Sequence, residues 1–243
     1  MRQDERHPTQ VRPIRFVPNF LKNADGSVLV ELGDTIILCT TNVEDNVPNW
    51  LRRSRSRQGW LTAEYSMVPS ATHSRNKRER GFISGRSHEI QRLIGRSLRG
   101  VMDLTKIPDT TFVVDCEVLQ ADGGTRTAAI TGGWIALKIA VDKCLRQGKL
   151  QQNPLMENIA AISAGLKDGN LLVDLNYEED NSADLDINIV MTSSGKIQEI
   201  QGTAEGRGFD QKQLNHIIEA SQGALQSIFD LQNGACEGQI VEG

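Results

Sequence analysis

Apolar and polar positions alternate along several stretches of the chain, and the clearest of these runs from Thr111 to Gln120. A period of two is typical of a half-buried β-strand. The apolar positions of this stretch are Phe112, Val114, Cys116 and Val118, with Asp115 and Glu117 between them. Residues 128–145 are mostly apolar and predict a buried helix. Between strand and helix lies a short turn, residues 122–127, with two adjacent glycines.

The remaining patterns predict two similar halves. Residues 27–32 and 35–42 form a hairpin around Gly33 and Asp34, and residues 87–104 form an amphipathic helix capped by Ser84 or Ser87. Residues 44–80 have weak periodicity and predict mainly a long functional loop. In the second half, the strands are residues 159–164, 171–175, 185–191 and 197–201, and a last helix spans 210–231 with Asp210 as its N-cap.

These elements predict an α+β fold built by pseudo-duplication, with strands followed by a helix in each half. The polar, proline-bearing residues 148–154 mark the expected boundary. We therefore predict one unit over residues 1–150 and another over 151–243. Periodicity leaves the order of the strands open.

Composition narrows the class of protein. The 243 residues contain 38% hydrophobic and 24% charged residues, as in an ordinary globular protein. No apolar run is long enough for a membrane span, and the polar beginning of the sequence is unlike a signal peptide. We therefore expect a bacterial-type cytoplasmic protein without membrane association; an organelle protein whose transit peptide was removed is the alternative. The four cysteines are widely spaced and predict buried free thiols rather than disulfides or a zinc site.

The net charge of −4 conceals an uneven distribution of charge. Residues 52–99 hold twelve Lys or Arg and three acidic residues, whereas residues 100–243 hold ten basic and twenty-one acidic residues. Because arginines dominate the basic tract and Trp60 and Tyr65 are interleaved, it favours a nucleic-acid surface over a solvated loop.

The glycine turn at residues 122–127 is a candidate phosphate site. Glycines bring backbone N–H groups close to a ligand, Arg126 offers a planar fork, and the helix N-terminus adds partial positive charge. A plain structural turn remains the alternative. Arg86 also lies at the start of a predicted helix, where a cation is unfavourable unless an anion is near.

The second chemical signal is an acidic run, residues 176–186, with five carboxylates within nine residues. Such crowding needs a cation, a basic partner or protonation to relieve it. On an extended segment Asp184 and Asp186 share a face suited to a divalent ion, although a solvated acidic hairpin is the alternative. Together, a phosphate site, a basic tract and carboxylates suit phosphoryl transfer on a polynucleotide.

Linked motifs throughout the chain resemble the ribonuclease PH family of bacteria. They are residues 12–14 (RPI), 26–28 (GSV), 59–67 (GWLTAEYSM), 84–86 (SGR), 89–96 (EIQRLIGR), 120–127 (QADGGTRT), 174–180 (DLNYEED) and 201–205 (QGTAE). The resemblance implies the family's fold, with mixed sheets packed against helices. It also implies a phosphorolytic 3′→5′ exoribonuclease, also called tRNA nucleotidyltransferase. Such an enzyme uses inorganic phosphate to trim tRNA precursors, and rRNA is a further substrate. The products are nucleoside diphosphates, and the reaction is reversible.

The same resemblance implies roles for individual residues. Arg86, Gly124, Thr125 and Arg126 would bind phosphate, and Asp180 and Asp186 would act as general acid or hold Mg²⁺. The RNA-binding residues would be Arg57, Arg75, Lys77, Arg78 and Arg80. The implied assembly is a homohexamer, a trimer of dimers. A metal-dependent hydrolytic RNase and a non-catalytic RNA-binding ring subunit are the alternatives.

Two stretches depart from the family pattern. Asp4-Glu5-Arg6 stands where Asp-Gly-Arg is usual, and residues 51–57 are rich in arginine where relatives tend towards glycine. The first departure predicts an altered turn or contact, and the second predicts altered RNA binding. Neither lies at the expected chemical centre.

Overall fold

Two β-sheets enclose a long central helix in this computed structural model, which describes residues 2, 4–54, 57–79, 81, 83–205 and 208–243. The strands are β1 (Ile14–Pro18), β2 (Gly26–Leu32), β3 (Thr35–Glu44), β4 (Trp60–Met67), β5 (Thr111–Gln120), β6 (Ile159–Lys167), β7 (Asn170–Val173), β8 (Leu185–Thr192), β9 (Ile197–Ala204) and β10 (Val241–Glu242). The helices are α1 (Asn49–Arg52), α2 (Gly85–Arg99), α3 (Thr125–Arg146), α4 (Tyr177–Asn181) and α5 (Gln211–Cys236), with a 3₁₀ turn at Leu104–Lys106.

The first sheet has the strand order β10-β1-β2-β3-β5-β4. Strands β2 and β3 form the predicted hairpin, and Gly33 takes the left-handed φ of 54° that its tight turn needs. The strand predicted at Thr111–Gln120 is confirmed as β5, antiparallel to β3. The sheet is mixed, because β4 runs parallel to β5.

The prediction of a loop over residues 44–80 was wrong for Trp60–Met67, which form β4, and for the short helix α1. Only three of the eight β4 residues are fully buried, so the strand lacks a strong apolar signature. Its hydrogen-bonding partner, β5, lies more than forty residues later, and the pairing is therefore a tertiary event that local periodicity does not reveal.

The second sheet is antiparallel throughout, in the order β7-β6-β8-β9. Its strands match the four predicted segments, and the last helix begins after Asp210, whose side chain accepts a hydrogen bond from the Gln213 N–H in a capping box. That helix continues to Cys236, beyond the predicted end. Ser84, not Ser87, caps α2, which ends at Arg99 instead of continuing to Leu104.

Helix α3 lies between the sheets and contacts β2, β3 and β5 on one side and β6 on the other. Most of its side chains are buried, as the apolar run predicted, and one hydrophobic core spans both sheets. Helix α3 begins at Thr125, directly after the glycine turn. The α+β fold with strands and a helix in each half is confirmed.

Buried ion pairs attach the N-terminal segment to the second half. Arg2 donates to Glu179 Oε2 at 2.7 Å, and Arg12 donates to Asp174 Oδ1 at 2.7 Å. At the departure over residues 4–6, Glu5 adopts a positive φ of 61°, a conformation that glycine takes without strain. Arg6 then reaches both Asp4 and Asp174.

All four cysteines are free, and three of them are buried, as predicted. Among the described residues, no helix combines the length and apolar character needed to cross a membrane.

Candidate active site

Eight of the predicted site residues line a single cavity of about 1000 Å³ where the two sheets meet. Its walls come from the end of β4, the start of α2, the turn between β5 and α3, helix α4, and strands β6 and β8. The predicted residues that it brings together are Lys77, Arg78, Arg86, Gly124, Thr125, Arg126, Asp180 and Asp186. Residues that are over ninety positions apart in sequence thus line the same cavity.

The glycine turn owes its position to Gly123 and Gly124, whose φ angles are 73° and 66°. A Cβ on Gly123 would lie 2.6 Å from the backbone carbon of Asn176 and 2.8 Å from the nitrogen of Tyr177. Only glycine therefore lets this turn pack against the beginning of α4, which carries Asp180. Gly124 is the N-cap of α3 and makes no side-chain capping bond, so the first-turn N–H groups remain available to an anion.

Arg126, at the second position of α3, is oriented by two other elements. Its Nη1 donates to Gln201 Oε1 on β9 at 2.9 Å and lies 3.6 Å from Glu89 Oε1 on α2. Gln201 in turn donates from Nε2 to the same Glu89 oxygen at 2.7 Å. This arrangement holds one edge of the guanidinium and leaves Arg126 on the cavity wall.

Tyr65, at the end of β4, lies close to both arginines. Its hydroxyl donates to Thr125 Oγ1 at 2.9 Å. Burial raises the pKa of Tyr65 to about 12, although the Thr125 hydrogen bond and the charges of Arg86 and Arg126 oppose that rise. Tyr65 is therefore a neutral phenol that fixes Thr125. Arg86 itself is exposed in the first turn of α2, so two helix N-termini and two guanidinium groups converge on the cavity.

The acidic side of the cavity pairs Asp180 with Asp186. Burial, and secondly the charge of Asp180, raise the pKa of Asp186 to about 6, and Arg126 opposes the rise. Asp186 Oδ1 is buried and has no hydrogen-bond partner among the described residues. A carboxyl with a pKa of about 6 keeps its proton in about half of the molecules at pH 6 and in about a tenth of them at pH 7.

Asp184 does not join Asp186, contrary to the expectation of a shared face. It precedes β8, and its Oδ2 accepts a hydrogen bond from the Asp168 N–H at 2.8 Å. The Asp184 carboxylate is thus engaged by the turn before β7, whereas residues 177–181 form a helix that brings Asp180 to Asp186. Glu179 is structural, since it completes a capping box with Asn176 and forms the buried ion pair with Arg2.

The predicted RNA-binding residues separate into groups. Lys77 and Arg78 are exposed and line the cavity, while Arg75 is exposed beside it without lining it. Arg57 precedes β4 at the end opposite the cavity, and the strand spans roughly 23 Å at about 3.3 Å per residue. Arg80 lies outside the described residues.

Three further arginines of the basic tract lie on α2 and have different surroundings. Arg96 pairs with Glu199 at 2.5 Å, and Arg99 lies over the Trp60 ring and donates to the Leu61 carbonyl. Arg92 is exposed and makes no hydrogen bond or ion pair within the described part of the chain. Arg96 and Arg99 thus have structural partners.

Sequence reasoning missed several residues that shape the site. Glu89 and Gln201 orient Arg126, Tyr65 fixes Thr125, and Ser163 and Asn188 line the cavity from the second sheet. Glu89, Gln201 and Tyr65 lie within the motifs that carry the family resemblance, but their contacts depend on how the elements pack. Ser163 and Asn188 stand in buried strands with no distinguishing pattern.

Comparisons with known proteins identify the class to which this fold and cavity belong. The model of domain 1 of the 3′ exoribonuclease family matches residues 10–141, and that of domain 2 matches residues 157–224. The chain therefore belongs to the 3′ exoribonuclease family.

Individual relatives narrow the assignment. The chain is 49% identical to ribonuclease PH of Crocosphaera subtropica over 234 residues, which cover 96% of this chain and 97% of that protein. This chain is therefore a phosphorolytic 3′→5′ exoribonuclease of the ribonuclease PH type, as its sequence predicts.

Solved structures agree on the fold. Rice Rrp46 superposes with a TM-score of 0.80 at 22% identity, covering 97% of this chain and 100% of that one. A chain of the Archaeoglobus fulgidus exosome with RNA bound to the active site superposes with a TM-score of 0.79 at 22% identity, covering 94% of this chain and 91% of that one.

Proposed function

We propose that this protein shortens tRNA precursors, and rRNA as a further substrate, from their 3′ ends by phosphorolysis in the cavity described above. The observation that carries the proposal is the joint presence of an oriented guanidinium, Arg126, and a carboxyl with a raised pKa, Asp186, on the walls of that one space. One group suits an anionic nucleophile and the other suits a leaving group that needs a proton.

Inorganic phosphate binds between Arg86, Arg126 and the turn at Gly124 and Thr125. The two guanidinium groups offer charge-assisted hydrogen bonds, and the N-terminus of α3 adds uncapped N–H groups. Phosphate is already a nucleophile, so this site has to align it and neutralise its charge rather than activate a water molecule. The hydrogen bond to Gln201 and the ion pair with Glu89 orient the Arg126 guanidinium in advance, so it needs less rearrangement during the reaction.

Asp186 supplies the proton for bond cleavage. A phosphate oxygen attacks the phosphorus of the terminal phosphodiester, the bond from phosphorus to the preceding O3′ breaks, and Asp186 protonates that oxygen. A nucleoside diphosphate and an RNA shorter by one nucleotide result. Asp180 assists by raising the pKa of Asp186 and thereby keeping the proton in place.

The acidic pair also fits Mg²⁺, because Asp186 Oδ1 is a buried oxygen without a hydrogen-bond partner among the described residues, and Asp180 is adjacent to it in the same cavity. Asp180 and Asp186 would then hold the ion. A bound Mg²⁺ would supply Lewis-acid stabilisation of charge on the reacting phosphates.

RNA approaches along the basic tract, with Lys77 and Arg78 at the cavity, Arg75 beside it and Arg57 before the far end of β4. Arg80 is assigned to this tract from the sequence alone. The chain divides near residue 150 into two units. Six copies of the chain assemble into a ring, a trimer of dimers. The proposed ring is supported by the likeness of the fold to a chain of the Archaeoglobus fulgidus exosome. Four free cysteines suit the reducing cytoplasm, where we place the reaction.

Product analysis on a 3′-extended tRNA tests this function. With inorganic phosphate the products should be nucleoside diphosphates, and without phosphate the RNA should remain intact. Nucleoside monophosphates formed without phosphate would indicate a hydrolytic RNase instead. RNA binding without any product under either condition would indicate a non-catalytic subunit.

A further inference from the structure

Tyr177 presents an exposed aromatic ring to the cavity. Two aromatic side chains line the cavity within the described residues, and the other, Tyr65, is buried with its hydroxyl engaged by Thr125. The side chain of Tyr177 is 50% exposed, and its hydroxyl makes no hydrogen bond within the described part of the chain. An exposed ring on the wall of a reaction cavity contributes little to the hydrophobic core, and its face is accessible to a ligand.

The backbone and a neighbouring ring hold Tyr177 in place. It is the first residue of α4, directly after the capping residue Asn176, and its N–H donates to Asp122 Oδ1 at 3.3 Å. The His73 ring lies 6.3 Å away, centroid to centroid, at an interplanar angle of 60°, which is within the range of aromatic pairs. The ring is therefore braced at one side and open towards the cavity.

The ring is also at a suitable spacing from the reacting groups. Tyr177 and Asp180 are three residues apart on one helix, so they project from the same side with Cβ atoms roughly 5–6 Å apart. A nucleotide whose phosphate reacts beside Asp180 would have its base within reach of the Tyr177 ring.

We propose that Tyr177, braced by His73, is the stacking platform for a nucleobase at the 3′ end of the RNA substrate. Every base has a π-face, so stacking grips the RNA end without selecting a sequence. This property suits an enzyme that must accept each newly exposed terminal nucleotide in turn. The inference rests on phosphorolysis of RNA by this cavity.

A pair of substitutions separates stacking from other contributions. Tyr177→Phe keeps the ring and removes the hydroxyl, whereas Tyr177→Leu removes the ring and keeps an apolar side chain. We expect Tyr177→Leu to raise the KM for RNA by roughly tenfold, and Tyr177→Phe to change it by less than about twofold. The KM for inorganic phosphate should stay unchanged in both. Phe20→Leu, which removes a comparably exposed ring outside the cavity lining, serves as the control.

The substrate supplies the second arm of the test. On an RNA whose last two nucleotides lack bases, wild-type protein and Tyr177→Leu should have the same KM. A penalty of Tyr177→Leu that persists on this RNA would overturn the proposal, as would equal effects of the Phe and Leu variants or a parallel rise in the KM for phosphate. If the wild-type protein leaves ordinary RNA intact in the presence of phosphate, it is the phosphorolytic function that fails.

Discussion

Replacing Asp186 by asparagine should stabilise the protein at neutral and alkaline pH while abolishing its activity. Burial and Asp180 raise the pKa of the Asp186 carboxyl from 3.8 to about 6, so the folded protein binds this proton more tightly than the unfolded chain does. The resulting stabilisation is complete below pH 3.8 and is lost as pH rises through about 6. Above that pH, the folded state bears the cost of a buried, crowded carboxylate.

The magnitude follows from the difference between the two pKa values. Each tenfold change in proton affinity corresponds to about 1.4 kcal/mol, so ionisation of Asp186 lowers the free energy of unfolding by about 3 kcal/mol. Because solvent partly reaches Asp186, we expect about 2–3 kcal/mol. Asparagine has nearly the same shape and does not ionise, and its amide can donate to Asp180 as the protonated carboxyl does.

Urea unfolding in metal-free buffer at a fixed protein concentration measures this effect. The free energies of unfolding of wild type and Asp186→Asn should approach each other near about pH 4, diverge up to about pH 6 and differ by a constant amount above it. Glu178→Gln, at an exposed position on α4, is the matched control and should follow the wild type throughout. Parallel curves for wild type and Asp186→Asn across this range would refute the account of Asp186.

Three further predictions concern phosphate, RNA and the N-terminal turn. Arg126→Lys keeps the charge but loses the planar fork that contacts Gln201 and Glu89, so the KM for phosphate should rise at least about tenfold with RNA binding retained. An unchanged phosphate KM would remove Arg126 from the phosphate site. Lys77→Ala and Arg78→Ala should each weaken RNA binding and make its salt dependence shallower by about one charge, and an unchanged slope in filter-binding titrations would count against phosphate contacts. Glu5→Gly relieves the φ of 61° and should stabilise the protein by about 0.5–1 kcal/mol in thermal unfolding, whereas a loss of stability would mean that the Glu5 side chain contributes more than the turn costs.

Several elements could be predicted because their signals are local. The alternation along β5, the apolar run of α3 and the capping residues of α2 and α5 each act within a few residues of where they are read. The glycine turn at residues 122–127 and the acidic run also identified both sides of the cavity. Their chemistry was visible because residue type alone determines which groups carry charge.

The tertiary structure decided which of these groups meet. Strand β4 forms only through its parallel pairing with β5, and α4 brings Asp180, not Asp184, to Asp186. The raised pKa of Asp186 and the orientation of Arg126 both depend on burial and on neighbours from distant segments. Periodicity and capping are properties of neighbouring residues, whereas desolvation and charge pairing depend on distances through space, which only the packed sheets and helices define.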